Sequence, residues 1–120
     1  MNAAQANASL AAKFELVDTN VTKSVTYNIY KLPNVPHAFV SVMAPTKVTK
    51  NNANHVTVTF AMEYDDREGV IFQIGDTMHL PEGQAMAEKL KSPEGKVYAS
   101  VGKFFNDDVA TFMNHVLTFA

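Results

Sequence analysis

The sequence contains no cysteine, which excludes disulfides, thiolate metal ligands and cysteine nucleophiles together. That absence suits a reducing compartment, so a cytoplasmic protein is expected. Charged residues are scarce, at 18% against roughly 25% in ordinary soluble domains. Little charge leaves little surface that must stay solvated, which favours burial of some of the outside against a partner or a second copy. The net charge of −2 lacks the basic excess of an electrostatic nucleic-acid binder. Lysines gather at Lys47 and Lys50 and again at Lys89, Lys91, Lys96 and Lys103, but without interleaved aromatics they read as solvated surface. No segment approaches the roughly 20 apolar residues of a membrane span, so no membrane partner is expected. The stretch Met1–Ala12, rich in Ala, Asn and Gln, has neither a basic start nor a continuous apolar run. It is read as a flexible or helical tail rather than a signal peptide, ahead of a single domain over residues 13–120.

Signatures of catalysis are also missing. The glycines at 75, 83, 95 and 102 are dispersed and form no phosphate loop. The histidines at 37, 55, 79 and 115 have no second ligand at a metal-binding spacing. Asp65-Asp66-Arg67-Glu68 is too tightly bunched for a calcium loop, whose oxygen ligands spread over about a dozen residues. The one loose grouping is Asp76, His79 and Glu82, for which a solvated surface is the plainer reading. No catalytic residue, metal or cofactor is expected.

What remains is pattern. Between Val21 and Tyr30 the residues alternate, with Val21, Val25, Tyr27 and Ile29 on an apolar face and Thr22, Ser24, Thr26 and Asn28 on the other. Lys13–Val17 is expected to pair with this strand through a turn at Asp18-Thr19-Asn20. Pro33 and Pro36 then interrupt. A third strand, His37–Met43, is apolar on both faces: Phe39 and Met43 on one, Ala38, Val40 and Val42 on the other. Either both faces are covered or one is a functional apolar surface. His55–Tyr64 alternates cleanly, with Val56, Val58, Phe60, Met62 and Tyr64 on its core side. A hairpin loop at Asp65–Gly69 is expected to lead into a strand from Val70 towards Leu80, bent at Gly75, with Ile71 pointing outward.

After Pro81 the period becomes helical. Gln84–Lys91 reads as a short helix with Met86 and Leu90 inside. Lys96–Val101 is ambiguous between strand and helical turn. Lys103–Leu117 carries a helical stripe of Phe105, Val109, Phe112, Met113 and Val116. Strands followed by helices define an α+β fold, here an antiparallel sheet of four to five strands and C-terminal helices.

Several fragments resemble the SecB family of export chaperones, in that family's order. Pro33-Asn34-Val35-Pro36-His37-Ala38-Phe39 resembles the stretch after its first strand. Val56-Thr57-Val58-Thr59 resembles its strand before a hairpin, and Met86-Ala87, Leu90, Pro93 and Tyr98-Ala99 resemble landmarks of its helical half. The resemblance implies a four-stranded antiparallel sheet backed by helices, a homo-oligomer, and an apolar groove that holds unfolded polypeptide without ATP. The expected function is therefore non-enzymatic binding of unfolded or extended polypeptide, with Phe39, Met43, Ile71 and Met78 as groove or interface residues. The alternative is a structural or assembly subunit of a phage or larger complex that uses strand-edge pairing.

Overall fold

The computed structural model describes residues 1–63, 70–93, 104, 105 and 107–120. The chain opens with a helix, α1 (Ala3–Ala11), continues through strands β1 (Glu15–Val21), β2 (Val25–Lys31), β3 (Ala38–Pro45), β4 (Thr57–Glu63) and β5 (Ile71–Gln73), and reaches a 3₁₀ turn at Ile74–Thr77. Helix α2 (Pro81–Lys89), a two-residue strand β6 (Phe104–Phe105), helix α3 (Asp107–Val116) and a 3₁₀ turn at Leu117–Phe119 complete it. The sheet is an antiparallel meander in the order β1-β2-β3-β4-β5, with β6 on the same side of β4 as β5 but further along. The α+β class read from the sequence is the class observed.

The helices form the core against one face of this sheet. Ala6 and Leu10 of α1, Met86 and Ala87 of α2, Leu90 at its C-terminal end, and Val109, Phe112, Met113 and Val116 of α3 are buried. They pack with Tyr30, Ala38, Val40, Val42, Val56, Val58, Phe60 and Met62 from the sheet. Phe60 lies at the centre, its ring 4.8 Å from that of Phe112 in an edge-to-face contact. His115, also buried, donates from Nε2 to the Leu90 carbonyl at 2.7 Å, tying α3 to the end of α2.

Several expectations are corrected. Residues 1–12 are helical, one of the two expectations, but docked rather than a free tail. Asn2 and Gln5 form a reciprocal capping box, and the helix it starts buries Ala6 and Leu10. The segment Asp18-Thr19-Asn20 lies inside β1 rather than in a turn. The chain reverses later, at Lys23-Ser24, because the Thr22 hydroxyl donates to the Val25 carbonyl and accepts from the Val25 amide. The strand expected from Val70 towards Leu80 ends at Gln73, where Ile74 enters the 3₁₀ turn and the Thr77 hydroxyl closes it by donating to the Ile74 carbonyl. Helix α2 begins three residues early, on Pro81, whose fixed φ suits the first helical position. Phe105 belongs not to the last helix but to β6, opposite Thr57. The expected loop Asp65–Gly69, residue Tyr64 and the ambiguous stretch Lys96–Val101 lie outside the described residues.

Candidate functional site

The face of the sheet away from the helices is the candidate site. Three rows of directly opposed residues cross it. One runs Glu15, Lys31, Phe39, Ala61, Gln73; the next runs Asp18, Ile29, Ser41, Thr59; the third runs Asn20, Tyr27, Met43, Thr57. Side chains on a strand alternate between faces, so each row belongs wholly to the face opposite Val40, Val42, Val58 and Phe60. Phe39 and Ala61 are buried, yet neither belongs to the helix-side core. Among the described residues, no helix covers this face.

Size differences along these rows shape it. Ser41, Thr59 and Ala61, all small, lie at the floor, buried to 7%, 3% and 1% exposure. Tyr27 and Ile29 rise from β2 on one side, and Ile71 and Gln73 from β5 on the other. The result is a trough of about 310 Å³ lined by Asp18, Asn20, Tyr27, Ile29, Ser41, Ala61, Ile71 and Gln73. Its lining is drawn from all five strands. At strand spacings of about 4.8 Å it spans roughly 19 Å, the reach of about six extended residues. Its floor and walls are apolar in Ile29, Ile71, Ala61 and the Tyr27 ring, and amides or hydroxyls stand at Asn20, Ser41 and Gln73. Among its described lining residues Asp18 is the one charge.

A second, more apolar hollow of about 410 Å³ opens at the end of β3, lined by Val25, Met43, Ala44, Pro45, His55, Val56 and Thr57. Met43 faces the open side here and stands beside Tyr27 in the third row.

The four residues singled out from the sequence therefore separate. Ile71 lines the trough, Met43 lines the adjoining hollow, and Phe39 lies in the row that flanks the trough, opposite Ala61. Met78 sits apart, half-buried against the helix-side core. Sequence reasoning missed Tyr27, Ile29, Asn20 and Gln73. Tyr27 and Ile29 stood on the apolar side of an alternating strand, which ordinarily means the core. In the structure no helix of the described residues covers that side, and its polar counterpart faces α1, where the Asn28 amide donates to Asn7 Oδ1 at 3.2 Å. The usable signal was β3, apolar on both faces while β2 carried apolar residues on only one.

Asp76, His79 and Glu82 are all exposed, and no hydrogen bond or ion pair joins them. Among the described residues no group of three His, Cys, Asp or Glu side chains comes together to hold a metal. Among the described residues no helix is long and apolar enough to cross a membrane. Comparison with protein-family models, with curated proteins and with solved structures finds no match to this chain.

Proposed function

We propose that this protein binds extended or unfolded polypeptide on the open face of its sheet, without catalysis, in the manner that its resemblance to the SecB chaperones implies. The trough carries this reading. Its apolar walls at Ile29, Tyr27 and Ile71 suit side chains of an extended segment, and Asn20, Ser41 and Gln73 offer hydrogen-bonding groups to that segment's backbone. Such lining is tolerant of sequence, because backbone amides are common to every client and apolar contact is non-directional. The hollow at Met43 extends the apolar surface beyond the trough, and methionine adapts to differently shaped partners.

Size-exclusion chromatography with light scattering, run with and without a permanently unfolded polypeptide, tests the proposal. Co-elution with the unfolded chain, but not with the same chain folded, is the expected result. A protein that elutes alone in both runs would contradict it.

One observation favours the second reading, an assembly subunit. Strand β1 is an edge strand seven residues long and exposed throughout, and a free edge is a template for pairing with another chain. Assembly through this edge leaves the trough open, so the two readings are compatible in one molecule.

A further inference from the structure

We propose that the hollow at the end of β3 receives the carboxyl-terminal residue of a bound polypeptide, with its apolar side chain inward and its α-carboxylate at the rim. This deepens the trough reading and rests on it: the trough holds the body of an extended chain, and the hollow selects for a chain that ends there.

The hollow exists because two strands part. β3 and β4 pair as far as Met43 opposite Thr57. β3 stays with β2 for two residues more, Ala44 opposite Thr26 and Pro45 opposite Val25. The chain then leaves as a loop and returns at His55, whose amide donates to the Asn52 carbonyl at 3.0 Å. Val25, Met43 and Pro45 lie at alternate positions to the covered face and so belong to the open one. With Val56 and Thr57 they line the parted region, and exposed His55 stands at its edge. Its volume of about 410 Å³ falls within the roughly 300–1,000 Å³ of small-ligand pockets. One backbone group is aimed the same way. The Thr46 amide donates to the Ser24 carbonyl at 3.1 Å, and in a trans peptide the carbonyl before it points the opposite way. The Pro45 carbonyl therefore turns from β2 towards the gap left by β4, where an incoming amide N–H can pair with it.

Charge identifies the occupant. Residues 19–62 contain no Asp or Glu but four lysines, and Lys23, Lys47 and Lys50 fall on the two loops that flank the hollow. The Thr46 hydroxyl ties those loops together by donating to the Thr22 carbonyl at 2.8 Å. All three lysines are exposed, so they act through the field over the mouth of the hollow rather than through fixed ion pairs. His55 adds an imidazole N–H, present in either tautomer. The two acids that open α3, Asp107 and Asp108, belong to the helix layer on the other side of the sheet. An apolar cup rimmed by cations suits a group that is apolar and anionic at once. Within a polypeptide only the last residue carries an apolar side chain and a carboxylate on one α-carbon. Asp and Glu bring the charge without the apolar body.

Fluorescence anisotropy tests this with a short, uncharged, N-terminally labelled peptide ending in leucine, compared as free acid and as amide. Wild type is expected to bind the acid roughly tenfold more tightly, the worth of a charge-assisted hydrogen bond. The net charge of −2 would by itself favour the amide, so bulk electrostatics does not imitate the result. His55→Ala and the triple variant Lys23→Gln/Lys47→Gln/Lys50→Gln, all at exposed positions, are each expected to remove most of the advantage. Ile71→Ser, on the trough wall, is expected to weaken acid and amide alike and leave their ratio unchanged. N-acetyl-leucine, the same end without its chain, is expected to compete at least roughly hundredfold less well than the peptide.

Equal binding of acid and amide overturns the proposal, as does an advantage indifferent to both the His55 and the lysine variants. Competition by N-acetyl-leucine as strong as the peptide's also overturns it and assigns the hollow to small free acids. A permanently unfolded polypeptide with an amidated end, run in parallel, separates the two readings. If it binds while the acid and amide peptides bind alike, end selection alone fails. If neither it nor the peptides bind, the trough reading fails as well.

Discussion

The Tyr30 hydroxyl donates to Asn7 Oδ1 at 2.7 Å, joining β2 to α1. The same Asn7 oxygen accepts from Asn28, and its amide donates to the Ala3 carbonyl at 3.0 Å. One side chain of the N-terminal helix thus satisfies two polar groups on the helix side of β2. This explains how β2 can present a polar alternation to the covered face and leave Tyr27 and Ile29 to the open one.

Replacing Tyr30 by Phe is expected to cost about 1 kcal/mol at neutral pH, the usual net worth of such a bond. Burial raises the Tyr30 pKa above its ordinary value. The folded state therefore holds the phenolic proton more tightly than the unfolded state does. The resulting stabilisation is complete below the ordinary phenol range, near pH 10, and is lost as pH rises from there through the raised value. Urea titrations across this range should show the advantage of wild type over Tyr30→Phe shrinking at alkaline pH. A constant difference would contradict the assignment.

Gly83 presses its α-carbon against the 3₁₀ turn. A β-carbon there would sit 2.0 Å from the Thr77 carbonyl oxygen and 2.3 Å from its hydroxyl. Gly→Ala inside a helix ordinarily stabilises by about 1 kcal/mol. Here the obstacle includes backbone, so Gly83→Ala is expected to destabilise, by about 1–3 kcal/mol in chemical denaturation.

Leu10 of α1 is fully buried, so the N-terminal helix is part of the cooperative fold. Leu10→Ala is expected to cost about 2–5 kcal/mol. Ala8→Ser, on the exposed side of the same helix, is expected to stay within about 0.5 kcal/mol of wild type. Equal, small effects from both would mean that α1 does not contribute to the folded core.

Strand alternation made much of the core legible. Val56, just before β4, and Val58, Phe60 and Met62 within it are all core, as their alternate spacing requires. The stripe of Val109, Phe112, Met113 and Val116 identified α3 for the same reason. The turn was misplaced because Asp18, Thr19 and Asn20 have turn chemistry in isolation. Pairing of all three with β2, and the Thr19 hydroxyl's bond to Asn28 Oδ1 at 2.9 Å, hold them in the strand. The candidate site was half legible. Periodicity separates a strand's two faces but does not say which face the helices will cover, and for β2 that choice rests on Asn7, more than twenty residues earlier in the chain.

We propose that the open face holds extended polypeptide. Fluorescence anisotropy of a labelled, permanently unfolded polypeptide, titrated with wild type, Ile29→Asp, Ile71→Asp and Met78→Ala, tests it most directly. Placing a carboxylate on either wall is expected to weaken binding at least roughly tenfold, from the cost of burying charge against an apolar ligand. Met78→Ala, on the helix side, is expected to leave affinity unchanged once the variant is shown to be folded. Binding by wild type that is lost in both wall variants and kept in Met78→Ala is the predicted result. No binding by wild type, or binding that ignores both wall substitutions, would contradict the account.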